Sequence, residues 1–247
     1  MLRQRLTAVL TGVLLCTPAL PACAQAIPAD TAQQILQELR VIRKLLEGQQ
    51  RGGAPTADDG RVSMAFQPGG LALGRADAPL LMVEYTDYEC PFCRQFHLGS
   101  FEQIRKNYVD TGKLRYVSRD FPLDFHKNAL RAAVAGRCGA EQGKFWELRH
   151  AMIVNASQLQ PEHILNHAKS LQLDAREFRS CMESGRLLGA VEGDMQEGRA
   201  AGVSGTPTFF IGRLANGRFE GIRIVGAMPY MVFAAKLEQM LAAAGTN

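Results

Sequence analysis

One arrangement limits the folds open to this chain more than any other. Strand signals stand at residues 80–85, 113–118, 208–211 and 221–225, whereas the stretch from 127 to about 200 carries helical signals alone. Leu80-Leu81-Met82-Val83-Glu84-Tyr85 is a short apolar run suited to a buried strand, led in by Ala78-Pro79. A helical pattern runs from about Pro91 to Tyr108 and stops at Thr111-Gly112, and Leu114, Tyr116 and Ser118 alternate along a second strand. Asn216-Gly217 between the last two strand candidates is a hairpin signal. Pro229 opens a final helix with Met231, Ala234, Leu237 and Leu241 near one face. The expected class is therefore α/β: a strand–helix–strand unit and a hairpin–helix unit, separated by a helical block. Within that block residues 129–135 are Ala-rich, and residues 145–153 have apolar positions at helical spacing. Pro161 opens a helix with Ile164, Leu165 and Ala168 on one side, Asp174 caps a segment ending near Cys181, and residues 187–201 form the last piece.

The start of the chain reads as an export signal, residues 1–24. Arg3 and Arg5 precede an apolar segment, residues 6–15, that is too short to span a bilayer. Ala22-Cys23-Ala24 is an A-x-A cleavage site, and Leu20-Pro21-Ala22-Cys23 resembles a bacterial lipobox that would anchor the chain at Cys23; Pro21 fits the lipobox poorly, so cleavage is expected. No later stretch is long and apolar enough for a membrane span. With 247 residues and 47% hydrophobic content the chain can build a core. Its net charge of +4 is mild and its basic residues are dispersed, which excludes a nucleic-acid surface from the expectations.

Residues 25–48 contain an amphipathic helix over 30–47. Asp30 is placed to cap it, Ala32, Ile35, Leu39, Ile42 and Leu46 form a stripe, and Gly48 marks its stop. The polar, Gly-rich segment 49–63 reads as a linker to a main domain over 64–247. Such a helix packs on its own domain or on another copy of itself. The linker favours the second, a homo-oligomer through residues 30–47.

Of six cysteines, Cys16 and Cys23 fall in the signal segment, leaving Cys90, Cys93, Cys138 and Cys181. An even number in an exported chain suggests disulfides. Cys90-Pro91-Phe92-Cys93 opens a helix directly after a strand. Unpaired N–H groups and the helix dipole favour a thiolate at Cys90, while Cys93, one turn in, is more sheltered. An exposed attacking thiol and a buried resolving one suit exchange through a mixed disulfide. Half of a zinc site is a second reading, with His163 and His167 as distant partners, and a structural staple is a third, poor because the loop is tiny. Glu84 lies six residues before Cys90 inside an apolar strand. Desolvation there favours the protonated carboxyl, so Glu84 could move protons to and from Cys93; the alternative is a solvent-facing position. Asp87 and Glu89 add negative charge that would temper the acidity of Cys90. Thr206-Pro207 precedes a strand, at a position where proline costs no ladder bond.

In combination these segments resemble the thioredoxin superfamily, in particular its DsbA-like branch, over residues 65–243. The resemblance is carried by residues 83–93, by Arg119-Asp120-Phe121-Pro122-Leu123, by Val203-Ser204-Gly205-Thr206-Pro207-Thr208-Phe209 and by Gly226-Ala227. It implies a thioredoxin-like fold interrupted by a helical domain at about 127–200 and a periplasmic thiol:disulfide oxidoreductase that forms, isomerises or reduces disulfides. In it Cys90 and Cys93 are the redox pair, Glu84 is the buried proton-transfer group, Pro207 is cis, and Thr206, Pro207, Pro91 and Phe92 face the substrate chain. The implied partners are unfolded or misfolded exported proteins and a membrane redox protein, DsbB-like for an oxidase or DsbD-like for an isomerase; no cofactor or metal is implied. Phe92 stands where the strongest oxidant of the family has histidine, which implies a weaker oxidant than one at about −120 mV. Thr206 resembles the isomerase branch, and the N-terminal helix resembles that of oligomeric ScsC-like members. A periplasmic metal-binding (copper or zinc) or chaperone-like protein is the competing class.

Cys138 and Cys181 are expected to form a structural disulfide, with free thiols or a second redox pair as alternatives. His97 and His126 are expected as surface histidines near the site. At least one of Phe209 and Phe210 is expected in the core.

Overall fold

The computed structural model describes residues 31, 33, 35–40, 60–65, 71–215 and 217–243. The signal and lipidation readings, the Asp30 cap, Gly48 and residues 49–59 of the expected linker lie outside the described residues. The chain divides into two units, Met1–Ala57 and Asp58–Asn247. In the first, residues 31, 33 and 35–40 are helical, and Ile35, Leu36 and Leu39 are about half exposed.

The second unit is built on a six-stranded sheet. Its strands are β1 (Arg61–Ala65), β2 (Leu71–Leu73), β3 (Leu80–Thr86), β4 (Leu114–Asp120), β5 (Thr208–Ala215) and β6 (Arg218–Val225), in the order β1-β6-β5-β3-β4-β2. Only β3 and β4 pair in parallel; the other neighbours are antiparallel. A parallel pair needs a crossover, and α1 supplies it. This helix begins as Pro91–Phe96 and continues through a π-helical turn (His97–Phe101), an α-helical stretch (Glu102–Ile104) and a second π-helical turn (Arg105–Val109). Between β4 and β5 come α2 (Ala129–Glu141), α3 (Phe145–Val154), α4 (Pro161–Ser170), α5 (Ala175–Ser184) and α6 (Leu188–Ala200), and α7 (Tyr230–Ala242) follows β6. This is the thioredoxin-like α/β architecture with an inserted helical domain expected from the sequence.

β3 is buried along its whole length because both faces are covered. Strand alternation sends Leu80 and Met82 into a cluster with Phe96, Ile104, Tyr116, Phe209 and Phe233. It sends Leu81, Val83 and Tyr85 into one with Val117, Phe121, Phe210 and Phe219. Phe209 and Phe210 are both fully buried, one on each face, which contributes roughly 1.5–3 kcal/mol apiece. The helical insertion has its own core around Val134, Leu148, Met152, Ile164, Phe178 and Val191. Asp174 caps α5 by accepting from the N–H groups of Arg176 and Glu177. The Cys138–Cys181 disulfide joins α2 to α5.

Three sequence expectations need correction. Arg61–Ser63, assigned to the linker, belong to β1, whose register with β6 pairs Arg61 with Ile222 and Met64 with Phe219; five residues on an edge are too few to show a clear periodicity. β2 was not anticipated, being three residues that pair with Ser118, Val117 and Tyr116 of β4. The hairpin strands reach further than their apolar cores, because ladder bonds continue to Ala215 and Arg218 around Gly217, whose φ of +74° the turn requires. Helix α6 approaches the sheet at Gly198, where a Cβ would lie 2.8 Å from the Tyr85 ring.

Candidate active site

Strand β3 delivers the chain to a short loop, residues 87–89, and then to the first turn of α1. Cys90 is the residue before that helix, in extended conformation, with Pro91 at the first helical position and no side-chain cap. Proline fits there because its missing N–H would be unpaired in any case. Asp87 fastens the loop: its carboxylate accepts from the N–H of Glu89 at 2.7 Å and of Leu123 at 2.8 Å, and pairs with His126 Nδ1 at 2.8 Å. Glu89 accepts from the backbone and side-chain nitrogens of Asn128. Both carboxylates, read from sequence as free charge beside Cys90, thus bind the loop after β4 instead, and His126 is a loop partner, 17% exposed.

Cys90 and Cys93 are free thiols with opposite environments. The sequence suggested an exposed Cys90, yet it is only 3% exposed and Cys93 is fully buried. The segment before β5 covers it: the Thr206-Pro207 bond is cis, and Cys90 Sγ donates to the Thr206 carbonyl at 3.3 Å. The Pro207 carbonyl accepts from Gly226 N–H at 2.8 Å, tying this segment to the end of β6. Hydrogen bonding from Cys93, with help from the backbone N–H groups of Cys93 and Phe92, lowers the Cys90 thiol to about 6 against the opposing effect of burial. Burial, the bond to Cys90 and the negative charge of Glu84 push Cys93 well above the ordinary thiol value. The Asp87 N–H reaches Cys93 Sγ at 3.5 Å. The asymmetry expected from helix position is present: hydrogen bonding lowers Cys90, while burial, the bond to Cys90 and the charge of Glu84 raise Cys93. Pro91 and Phe92 face outward, Phe92 at 59% exposure, beside the thiols.

Glu84 shares the sheet face of Leu80 and Met82 and is fully buried, so the solvent-facing alternative is corrected. Its Oε2 pairs with Arg149 Nη2 at 2.5 Å and accepts from the Tyr116 hydroxyl. Its Oε1 has no hydrogen-bond partner among the described residues. Arg149, from α3, is also fully buried, and Nη1 donates to His97 Nδ1 at 2.9 Å. His97 is therefore no surface histidine; at 2% exposure it stacks on Phe101 and bonds through Nε2 to His150 at 2.9 Å. Arg149, Tyr116 and His150 were missed from sequence. Arg149 did leave a signal: it interrupts the apolar face Phe145, Leu148, Met152, Ile153 of α3, all of them buried, and a charge on such a face needs a partner. His163 and His167 are occupied on and before α4, with Gln160 and the Gln158 carbonyl.

The family model for thioredoxin matches residues 67–217. Among curated proteins, the chain is 37% identical to Na(+)/H(+) antiporter NhaA 3 of Salinispora tropica, over 65% of this chain and 24% of that protein. It is 32% identical to the NhaA antiporter of Herminiimonas arsenicoxydans, over 72% of this chain and 28% of that protein. The chain thus spans about a quarter of the curated relatives it matches, and among its described residues no helix is long and apolar enough to cross a membrane. Among solved structures, Wolbachia pipientis alpha-DsbA1 is similar with a TM-score of 0.65 at 25% identity, over 72% of this chain and 94% of that one. Bacillus subtilis BdbD has the same fold, with a TM-score of 0.62 at 22% identity over 73% and 98%. With a family model covering more than half its length, and a cysteine pair and cis-proline set in a DsbA-type fold, the chain belongs to the thioredoxin family as a DsbA-like member.

Proposed function

We propose that this chain is a periplasmic thiol:disulfide oxidoreductase acting on exported proteins through Cys90 and Cys93. The observation that carries the reading is the pair of free thiols at the start of α1 with the cis Thr206-Pro207 segment against Cys90, in environments that lower Cys90 and raise Cys93. In the oxidising direction a substrate thiolate attacks Cys90 Sγ of the Cys90–Cys93 disulfide. The S–S bond breaks, its electron pair passes to Cys93, and that sulfur takes up a proton. A second substrate thiolate then attacks the substrate sulfur of the mixed disulfide and expels Cys90 as a thiolate, a good leaving group because of its low pKa. The substrate loses two electrons and the cysteine pair gains them. In the reducing direction Cys93 must lose its proton before it can resolve the mixed disulfide, and the buried Glu84 receives it. Thr206 and cis-Pro207 border the sulfur, and Pro91 and Phe92 offer an outward apolar surface to the substrate chain.

A Cys90 value of about 6 lies between the roughly 7 of thioredoxin and 3.5 of the strongest oxidant. The potential should accordingly fall between about −270 and −120 mV. That range admits oxidation with a DsbB-like partner and isomerisation with a DsbD-like one. Half-exposed Ile35, Leu36 and Leu39 on the N-terminal helix favour pairing with a second copy. The test is threefold. Equilibration with glutathione gives the potential, and a value near −300 mV without activity on scrambled protein would overturn the enzyme reading. Cys93→Ser should trap a mixed disulfide with an unfolded protein that Cys90→Ser does not form. Ile35→Glu with Leu39→Glu should reduce the mass in solution; an unchanged mass removes the oligomer.

A further inference from the structure

We propose that Arg149, a residue of the helical insertion, is the positioning residue for Glu84, and that His97 and His150 hold it in place; the proposal rests on the oxidoreductase reading above. The guanidinium lies between two acceptors, Glu84 Oε2 at 2.5 Å and His97 Nδ1 at 2.9 Å. It also sits over the rings of Phe101 and Trp146, at 5.4 and 5.6 Å from their centroids. Arginine has no acceptor atom, so His97 Nδ1 must be the acceptor and its proton resides on Nε2. That proton is donated to His150 Nδ1 at 2.9 Å. The direction of the chain is therefore set at each step, from Arg149 through His97 to His150 on the exposed side of α3. Burial, Arg149 and His150 hold His97 at about 2, so it stays neutral and serves Arg149 as an acceptor.

The consequence falls on Glu84. The groups that face it are Cys93 from α1, Tyr116 from β4, Tyr88 of the loop after β3 and Arg149 from α3, while His97 of α1 and Asp120 of β4 act on the guanidinium. Arg149 and Tyr116 occupy Oε2. Oε1 is buried and has no partner among the described residues, and it is the oxygen left to take the Cys93 proton. A buried carboxyl without a cation takes up a proton itself and can then accept none from Cys93. A helix of the insertion thereby supplies the cation that holds a carboxylate of the sheet.

The experiment uses the full chain with Cys90 linked to glutathione, and follows release of glutathione by Cys93 in a stopped-flow instrument between pH 5 and 9. Arg149→Met should slow release about tenfold or more at pH 6 and approach the parent rate at high pH, because the acid limb moves up. Arg149→Lys should restore most of the parent profile, and Glu84→Gln should be slow without such a displaced limb. An Arg149→Met protein that is folded by circular dichroism and keeps the parent profile overturns the proposal, as does a failure of lysine to restore it. If Arg149→Met does not fold, His97→Leu decides. It strips Arg149 of its second acceptor and should move the limb the same way, and an unchanged profile overturns the proposal. If the parent protein releases no glutathione at any pH, the oxidoreductase reading itself has failed, an outcome distinct from an active protein with an unmoved limb.

Discussion

Two buried arginine–carboxylate networks lie on β3 and β4, and they differ in how completely the carboxylate is used. At the end of β4 Asp194 of α6 accepts from Arg119 on Oδ1, at 2.9 Å, and from Arg137 and the Asp120 N–H on Oδ2. Arg137 also reaches Asp120 at 2.6 Å. Both Asp194 oxygens are consumed, and the product is a rigid clamp between α6, α2 and the end of β4. Further back along β3 Glu84 has one oxygen bound by Arg149 and Tyr116 and the other, among the described residues, open. Similar chemistry gives a fastener in the first case and a carboxylate with remaining capacity, beside Cys93, in the second. Asp120, buried among these charges, is pushed up to about 6 by desolvation. Protonation of Asp120 as pH falls through about 6 weakens its pairing with Arg137.

Cys90→Ser should reduce dithiol-peptide oxidation to background, whereas no substitution in the Asp194 clamp should do so while the protein stays folded; a peptide oxidation assay decides. Next in size, Arg149→Met and Arg137→Met should each destabilise the fold by about 3–5 kcal/mol, since each leaves a buried carboxylate without its cation. Urea unfolding measures the loss, and only the first should alter the pH profile of Cys93. Cys138→Ser with Cys181→Ser opens a loop of sequence separation 43. It should cost roughly 4 kcal/mol by loop entropy while leaving the Cys90–Cys93 potential in place, as glutathione equilibration would reveal.

Smaller effects concern the environment of Cys90. Phe92→His puts a donor beside the thiolate and should raise the potential by about 30 mV for each tenfold gain in thiolate stability. The potential of the parent protein should also change slope with pH. Cys90 is lowered in the folded dithiol form, so its stabilising contribution is full above the ordinary thiol value. It is lost as pH falls through about 6. Below that point reduction takes up two protons and the slope is about 59 mV per pH unit; above it one proton, and about 30. A single slope from pH 5 to 8 would remove the assignment of the lower value to Cys90.

Much of this site could be read in the sequence because its parts are local. Cys90 and Cys93 lie one turn apart at a helix start, Glu84 precedes them by one strand's alternation, and the strand signals on both sides of a helical block leave few α/β arrangements. The elements that pattern could not reach are short or at an edge: β1 has five residues and β2 three, and their existence depends on partners far along the chain. What tertiary structure alone decided is the company each polar group keeps. His97 was read as surface because helical periodicity does not say what packs against a helix; α3 brings Arg149 against it from 52 residues away. Asp87 and Glu89 were read as free charge because spacing cannot show that the loop after β4 uses them. Exposure of Cys90 was overestimated for the same reason, since the cis Thr206-Pro207 segment that covers it comes from 116 residues further on. Sequence by itself determined the class of fold, through strand signals on both sides of a helical block, and pointed to the reactive thiols and the acid behind them, which are neighbours within one strand and one helix. The low exposure of Cys90, the open oxygen of Glu84 and the cation that holds the other oxygen were decided by packing, because burial and hydrogen-bond partners are properties of contacts between distant segments.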